Sequence, residues 1–247
     1  MNDLHGTVAF LTGAAQGLGY AIAKAYVNEG MKVALMDNQA NKLEAVVREL
    51  TAMGGDCVAI QVDLSDANQT DAAIEKALSK YGTPRVVVHN AALLRERSML
   101  EVTLKDWQKE VNIILQAGFQ LCKAVWQPMI EAGGGSIMLV SSGSGVKGFV
   151  KEIAYSPAKH AIEGLMKSLA MEGEEFNIAV NTVTPGAPIN TPMSDSNYPD
   201  ELKKQWVDPA LITPAFVFLA KQDASGVTGK RVAARVGMWE ILNQTEK

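Results

Sequence analysis

Short β-branched runs alternate with longer stretches of helical periodicity from one end of the chain to the other, which is the sequence form of a parallel sheet covered on both faces. The runs at 7–12, 31–37, 57–62, 85–89, 136–141, 179–184 and 231–236 read as about seven strands. Between them, 18–29 and 43–53 carry apolar residues at helical spacing, 104–129 reads as one long helix ended by Pro128, and 155–175 and 209–220 read as further helices. Right-handed crossovers between such strands give a doubly wound α/β sheet of the Rossmann type, with helices on both faces and ligands outside the C-terminal strand ends. Segment 187–208 interrupts the regularity. It is rich in Pro, Asn, Asp and Ser, has a short helical pattern near 201–206, and follows the sixth strand at the ligand edge, so it is a candidate lid. No linker or repeat divides the 247 residues, and one domain spanning 1–247 is expected.

Charge and cysteine content narrow the partners. A formal net charge of −4 offers no basic face for nucleic acid or anionic lipid. No apolar run is long enough to span a bilayer, and the first strand begins too close to Met1 for a cleavable leader. Cys57 and Cys122 sit inside apolar patterns, as buried thiols in a reducing compartment do. A cytoplasmic protein with a small-molecule ligand, and neither a nucleic-acid nor a membrane partner, is expected. The triplets starting at Asn68 and Asn243 match a glycosylation acceptor, but without an export signal they read as chance. His5, His89 and His160 are scattered with no ligand spacing, so no metal is expected.

The run Thr12-Gly13-Ala14-Ala15-Gln16-Gly17-Leu18-Gly19 carries the first chemistry. Three glycines where a strand turns into a helix let the backbone turn sharply and present N-terminal N–H groups to a pyrophosphate. The spacing is G-x3-G-x-G, and the second strand ends in an acid, Asp37. Farther along, Tyr155 and Lys159 lie one helical turn apart, with Pro157 tolerated in the first turn. A tyrosine used as a base near neutrality must come down from about 10 to about 7, which is about 4 kcal/mol, and a neighbouring ammonium pushes in that direction. Ser142, at the end of the fifth strand, can aim its hydroxyl into the same cleft. Thr228-Gly229-Lys230-Arg231 is no phosphate loop, because Ala224 stands where its first glycine must be.

With TGAAQGLG at 12–19, Asp37, Val62-Asp63-Leu64, His89-Asn90-Ala91-Ala92, Asn112, Ser142, YSPAK at 155–159 and NTVTPG at 181–186, the chain resembles the short-chain dehydrogenase/reductase family over nearly its whole length. The resemblance implies an oxidoreductase that interconverts a secondary alcohol and a ketone. Tyr155 would be the general acid/base, Ser142 would hold the substrate oxygen, Lys159 would hold the nicotinamide ribose, and Asn112 would complete the tetrad through its carbonyl. It further implies a cofactor cradle of Gly13, Gln16, Gly17, Leu18 and Gly19, with Asp37 on the adenosine ribose, Asp63 and Leu64 on adenine, and Asn90 and Ala91 at the central strand end. Pro185, Gly186, Ile189 and Thr191 would lie along the nicotinamide and diphosphate.

Asp37 would repel a 2′-phosphate, and no Lys or Arg stands at Ala15, Gln16 or Asn38, so NAD is expected over NADP. The other reading of Asp63 is a helix cap for the stretch after Ser65. Three departures from the family pattern stand out. His89 and Ala92 replace residues of N-N-A-G, five residues instead of four lead to Thr191, and the usual V-D-G-G finish is missing. Pro188 has no N–H, which leaves Ile189 to meet the carboxamide. Phe149, Met193 and Trp206 are expected to supply apolar substrate contacts, while Arg95 and Arg97 read either as anchors for an acidic substrate or as solvated loop charges. The resemblance also implies a homotetramer packed through the helices at 104–129 and 155–175. A dinucleotide-binding sensor without turnover is the alternative; it would be expected to lack a tetrad member, and none is missing.

Overall fold

The computed structural model describes residues 3–242, so the triplet at Asn243 lies outside the described residues. In chain order the elements are β1 (Val8–Thr12), α1 (Gly17–Asn28), β2 (Lys32–Asp37), α2 (Ala40–Ala52), β3 (Asp56–Gln61), α3 (Ala67–Tyr81), β4 (Val86–His89), α4 (Leu104–Val111) and α5 (Ala117–Glu131). There follow β5 (Gly135–Val140), α6 (Tyr155–Gly173), β6 (Ile178–Thr184), α7 (Pro192–Asn197), α8 (Thr213–Ala220), β7 (Arg231–Arg235) and β8 (Met238–Leu242). They form one sheet in the order β3-β2-β1-β4-β5-β6-β7-β8, parallel except for the last pair. The order reverses between β1 and β4, and a ligand crevice opens at such a switch point, beyond the strands' C-terminal ends.

Side chains on successive strand residues point to opposite faces, and the core divides accordingly. Ala9, Leu11, Val33, Leu35, Val86, Val88 and Met138 pack with Ile22, Tyr26, Leu43 and Phe216 on the α1/α2/α8 side. Phe10, Ala34, Met36, Val87, Ile137 and Leu139 pack with Ile74, Leu121, Val125 and Ile162 on the α3/α5/α6 side. Burial of both faces explains why these strands read as apolar runs and not as alternating ones.

Some sequence expectations need correction. The sheet has eight strands among the described residues, not about seven. β8 returns antiparallel to β7 through a tight turn at Gly237 (φ 67°), and the exposed Met238, Trp239 and Ile241, spread over both of its faces, give no core pattern to read. The helix expected at 104–129 is interrupted: a π-helical turn, Asn112–Gln116, separates α4 from α5. Pro128 does not end it either. Its missing N–H leaves the carbonyl one turn back without that partner, but the helix continues to Glu131 and stops where Gly133 (φ 86°) and Gly134 (φ 118°) turn left-handed. The helix at 209–220 opens as a 3₁₀ turn over Pro209–Ile212 before α8 begins. The segment at 187–208 holds α7 and a 3₁₀ turn at Asp200–Gln205, and its ends are tied by an isolated bridge between Ile189 and Val207. Both cysteines are free, with Cys122 buried but Cys57 only half-buried.

Candidate active site

A single cleft of about 1340 Å³ runs across the C-terminal ends of the strands, from Asp37 through Gly13, Asn90 and Ser142 to Gly186 and Arg235. At the end lined by the glycine loop, main-chain atoms come close together. Gly13 takes φ 67°, and a Cβ there would stand 2.8 Å from Ala91 Cα and from Asn90 Nδ2. Asn90 Nδ2 donates to the carbonyls of Gly13 (3.0 Å) and Thr12 (3.2 Å), which joins the glycine loop to the end of β4. Thr191 packs against Gly17, so the start of the candidate lid reaches the glycine loop. This cradle, which side chains would fill, fits a dinucleotide pyrophosphate at the N-terminus of α1.

Asp37 is buried at the end of β2. Its carboxylate accepts from the N–H groups of Ala15 (3.0 Å) and Gln39 (2.9 Å), which orients it toward the cleft it lines. Lys42 was not anticipated from the sequence. It lies on α2 and donates to Gln16 Oε1 at 2.7 Å, placing a cation beside a cleft residue. Asp63 accepts from Ser65 N (3.0 Å) and Oγ (2.7 Å). It does not cap α3; that is done by Asp66, which accepts from Asn68 N and Gln69 N.

Farther along the cleft, Ser142 leaves β5 in extended conformation, and its Oγ accepts from Ser144 N at 3.2 Å. Tyr155 is the first residue of α6 and is 7% exposed. Burial pushes its phenol above its ordinary range, assisted by nearby Tyr198, while a hydrogen bond to Ser142 pulls the other way. The direction is opposite to the lowering expected from the Tyr155–Lys159 spacing, because the phenol loses water on burial. Lys159, 2% exposed, donates from Nζ to the Val140 carbonyl at 2.7 Å and stands 5.4 Å from the Tyr155 ring centroid. Burial pulls its ammonium down to about 8, and Glu163 opposes that.

Gly13, Gln16, Gly17, Leu18, Asp37, Asp63, Leu64, Asn90, Ala91, Ser142, Tyr155, Lys159, Pro185, Gly186, Ile189 and Thr191 all line this cleft. Two expected site residues do not. A Cβ at Gly19 would collide with the Gly13 carbonyl, so this glycine lets α1 pack against the loop. Asn112 opens the π turn. Its Nδ2 donates to the Ser65 carbonyl at 3.1 Å, and its own carbonyl accepts from Ala117 N–H. The bridge to Val207 uses the Asn190 N–H and the Pro188 carbonyl, which leaves the Ile189 N–H outside it. Of the apolar contacts expected, only Met193 lines the cleft. Phe149 and Trp206 do not, and Tyr198 and Leu242 are there instead. Arg95 and Arg97 line it as well, with Arg97 paired to Asp106.

His89 has more than a packing role. Thr12 Oγ1 accepts from the N–H groups of Asn90 and Ala91 (both 3.1 Å), so its one proton goes to His89 Nδ1 (3.0 Å). Nε2–H then donates to the carbonyls of Ile113 (3.1 Å) and Ile114 (3.0 Å) in the π turn. Burial, with the Lys159 charge adding to it, holds the imidazole down to about 4 and therefore neutral. The glycine strand and the segment carrying Asn112 are thus joined through one ring. Only the family departure at position 89 marked this residue in the sequence.

Known proteins are similar to this chain in sequence and fold. The family model for short chain dehydrogenases matches residues 7–202. The chain is 33% identical over 236 residues to the 2,5-dichloro-2,5-cyclohexadiene-1,4-diol dehydrogenase of Sphingobium indicum, covering 92% of this chain and 94% of that protein. It is 31% identical over 240 residues to a 3-oxoacyl-[acyl-carrier-protein] reductase of Chlamydia trachomatis, covering 93% and 96%. The solved L-sorbose reductase of Gluconobacter frateurii, complexed with NADPH and L-sorbose, superposes with a TM-score of 0.85 at 26% identity, over 96% of this chain and 99% of that one.

Proposed function

The chain belongs to the short chain dehydrogenase family, and from that premise we propose that it is a cytoplasmic, NAD-dependent oxidoreductase interconverting a secondary alcohol and a ketone, with Tyr155 as general acid/base. One observation carries the proposal. The phenol of Tyr155, the hydroxyl of Ser142 and the ammonium of Lys159 meet in the same cleft as the glycine cradle. When bound, the dinucleotide supplies the hydride acceptor or donor.

The protein does the rest. In oxidation Tyr155 Oη takes the hydroxyl proton, while Ser142 Oγ holds the substrate oxygen as its charge changes. In reduction Tyr155 returns the proton along the same path. Lys159, at about 8, is still largely an ammonium at pH 7, and its charge favours the phenolate against the burial that opposes it. Asn112, at the head of the π turn, offers its carbonyl as the outer end of a proton path. The 187–208 segment acts as a lid, joined to the nucleotide end through Thr191.

Asp37 supports NAD, since a buried carboxylate at the ribose end repels a 2′-phosphate. A second reading, NADP, is favoured by Lys42, whose ammonium stands beside Gln16 at that end, and by the NADPH in the L-sorbose reductase. A homotetramer is also proposed, with the exposed Leu104, Trp107 and Phe119 on α4 and α5 covered by symmetry mates. The test is absorbance at 340 nm with NAD and NADP against a panel of secondary alcohols, including sugar alcohols and cyclic diols. Nucleotide-dependent turnover that the Y155F variant loses supports the reading. Tight nucleotide binding with no turnover of any alcohol or ketone in the panel would leave a sensor instead.

A further inference from the structure

Beneath Ser142 lies a buried group of charges that the reaction as described does not use. Arg231, the first residue of β7, donates from Nε to Glu163 Oε1 (3.2 Å) and from Nη2 to the main-chain carbonyl of Ser142 (3.1 Å). Glu163 is 6% exposed and sits on α6 one turn beyond Lys159. It also accepts from Ser141 Oγ (2.5 Å) and Thr182 Oγ1 (2.8 Å). The end of β5, α6, β6 and β7 therefore meet on one carboxylate. Space is kept for it: a Cβ on Gly145 would stand 2.6 Å from Ser141 Oγ and 3.3 Å from Glu163 Cγ. Buried ion pairs add little net stability compared with apolar residues of the same size, so stability alone does not account for this one.

We propose that Glu163 and Arg231 are positioning residues of the reaction: Arg231 fixes the main chain at Ser142, and Glu163, clasped by Arg231, is the counter-charge that keeps Lys159 an ammonium beside Tyr155. The inference rests on the oxidoreductase reading above. The groups around Lys159 are Glu163 and Tyr155 from α6, neutral His89 from β4, and the Val140 carbonyl of β5. Those around Glu163 are Lys159, Arg231 and the two hydroxyls. Among the charged groups named, Glu163 is the only anion, and it is the one that pulls Lys159 back up against burial.

Three variants separate this from a role in packing: E163Q, which keeps the size of the side chain and removes its charge, R231Q, which removes the cation with a shorter amide, and R231K, which keeps the charge. Lys159 is followed by carbon-13 NMR of Cε-labelled lysine, its signal identified by its loss in K159R, which requires no turnover. E163Q removes the anion and leaves Arg231, so the Lys159 titration falls to lower pH. R231Q leaves Glu163 facing Lys159 alone, so the titration stays or rises. With the alcohol that the wild type oxidises best, kcat falls about tenfold to a hundredfold in both glutamine variants through misplacement at Ser142, with little change in KM. The alkaline limb of kcat/KM retreats toward neutrality in E163Q, and R231K recovers part of the rate lost in R231Q.

An E163Q protein whose Lys159 titrates as in the wild type overturns the inference. So does a shift of the same sign in E163Q and R231Q, which is what general loosening produces. If the wild type turns over no alcohol with either nucleotide, the oxidoreductase reading fails by itself, and the lysine titration still decides the assignment of Glu163.

Discussion

The two ends of the cleft are built from different materials. At the proposed nucleotide end, Gly13 makes the close approach of main chains, and Asp37 is held by the backbone N–H groups of Ala15 and Gln39. At the proposed reacting end, Tyr155, Lys159, Glu163 and Arg231 are charged or titratable side chains brought to one place by β5, α6, β6 and β7. A backbone site tolerates little change in shape. A side-chain site tolerates little change in charge, because each buried charge depends on another for its protonation state.

The largest expected effect tests the reacting end: Y155F loses about 10³-fold in kcat, the ordinary range for a missing general acid/base, while nucleotide affinity stays near wild type. Stopped-flow turnover together with nucleotide fluorescence titration checks both halves. If kcat survives, the reacting end lies elsewhere in the cleft.

His89 joins the two ends and titrates between them. Its folded value of about 4 lies below an unfolded value of about 6.5, so the unfolded chain binds more protons in that window. The stability it contributes is fully present above about pH 6.5 and declines as pH falls toward 4, by up to about 3 kcal/mol. Melting curves from pH 7 to pH 4.5 should show a steeper acid loss for the wild type than for H89Q. Parallel curves would place the acid sensitivity elsewhere.

A change of shape at the nucleotide end comes next. G19A puts a methyl group against the Gly13 carbonyl and should destabilise by about 1–3 kcal/mol. For a chain of this size that lowers Tm by several degrees, at about 2–4 °C per kcal/mol, and nucleotide affinity should weaken with it. An unchanged melting curve would show that α1 shifts to make room.

The smallest effect is one of charge at the same end. D37S should lower the preference for NAD over NADP by about tenfold, or about 1.4 kcal/mol, as measured by the ratio of kcat/KM values. A wild type that prefers NADP and loses that preference in K42Q would instead assign the ribose end to Lys42.

This contrast also explains how much of the molecule is legible in the sequence. Seven strands, their order of appearance, the glycine cradle, Asp37, Ser142 and the Tyr155–Lys159 pair follow from local pattern, because each depends on residues within a turn or two of one another. Met238–Leu242 escaped because an exposed edge strand leaves no buried periodicity, and the π turn escaped because one extra residue in a helix hardly alters its apolar spacing. Glu163 and Arg231, 68 positions apart, belong to no local motif that would single them out. The chain's own order therefore determined a Rossmann-type sheet, a glycine-lined turn after its first strand and a tyrosine-lysine pair. Tertiary structure alone decided which charges are buried against that pair, because the energy of a charge is set by how much water it loses and by which distant partner replaces that water.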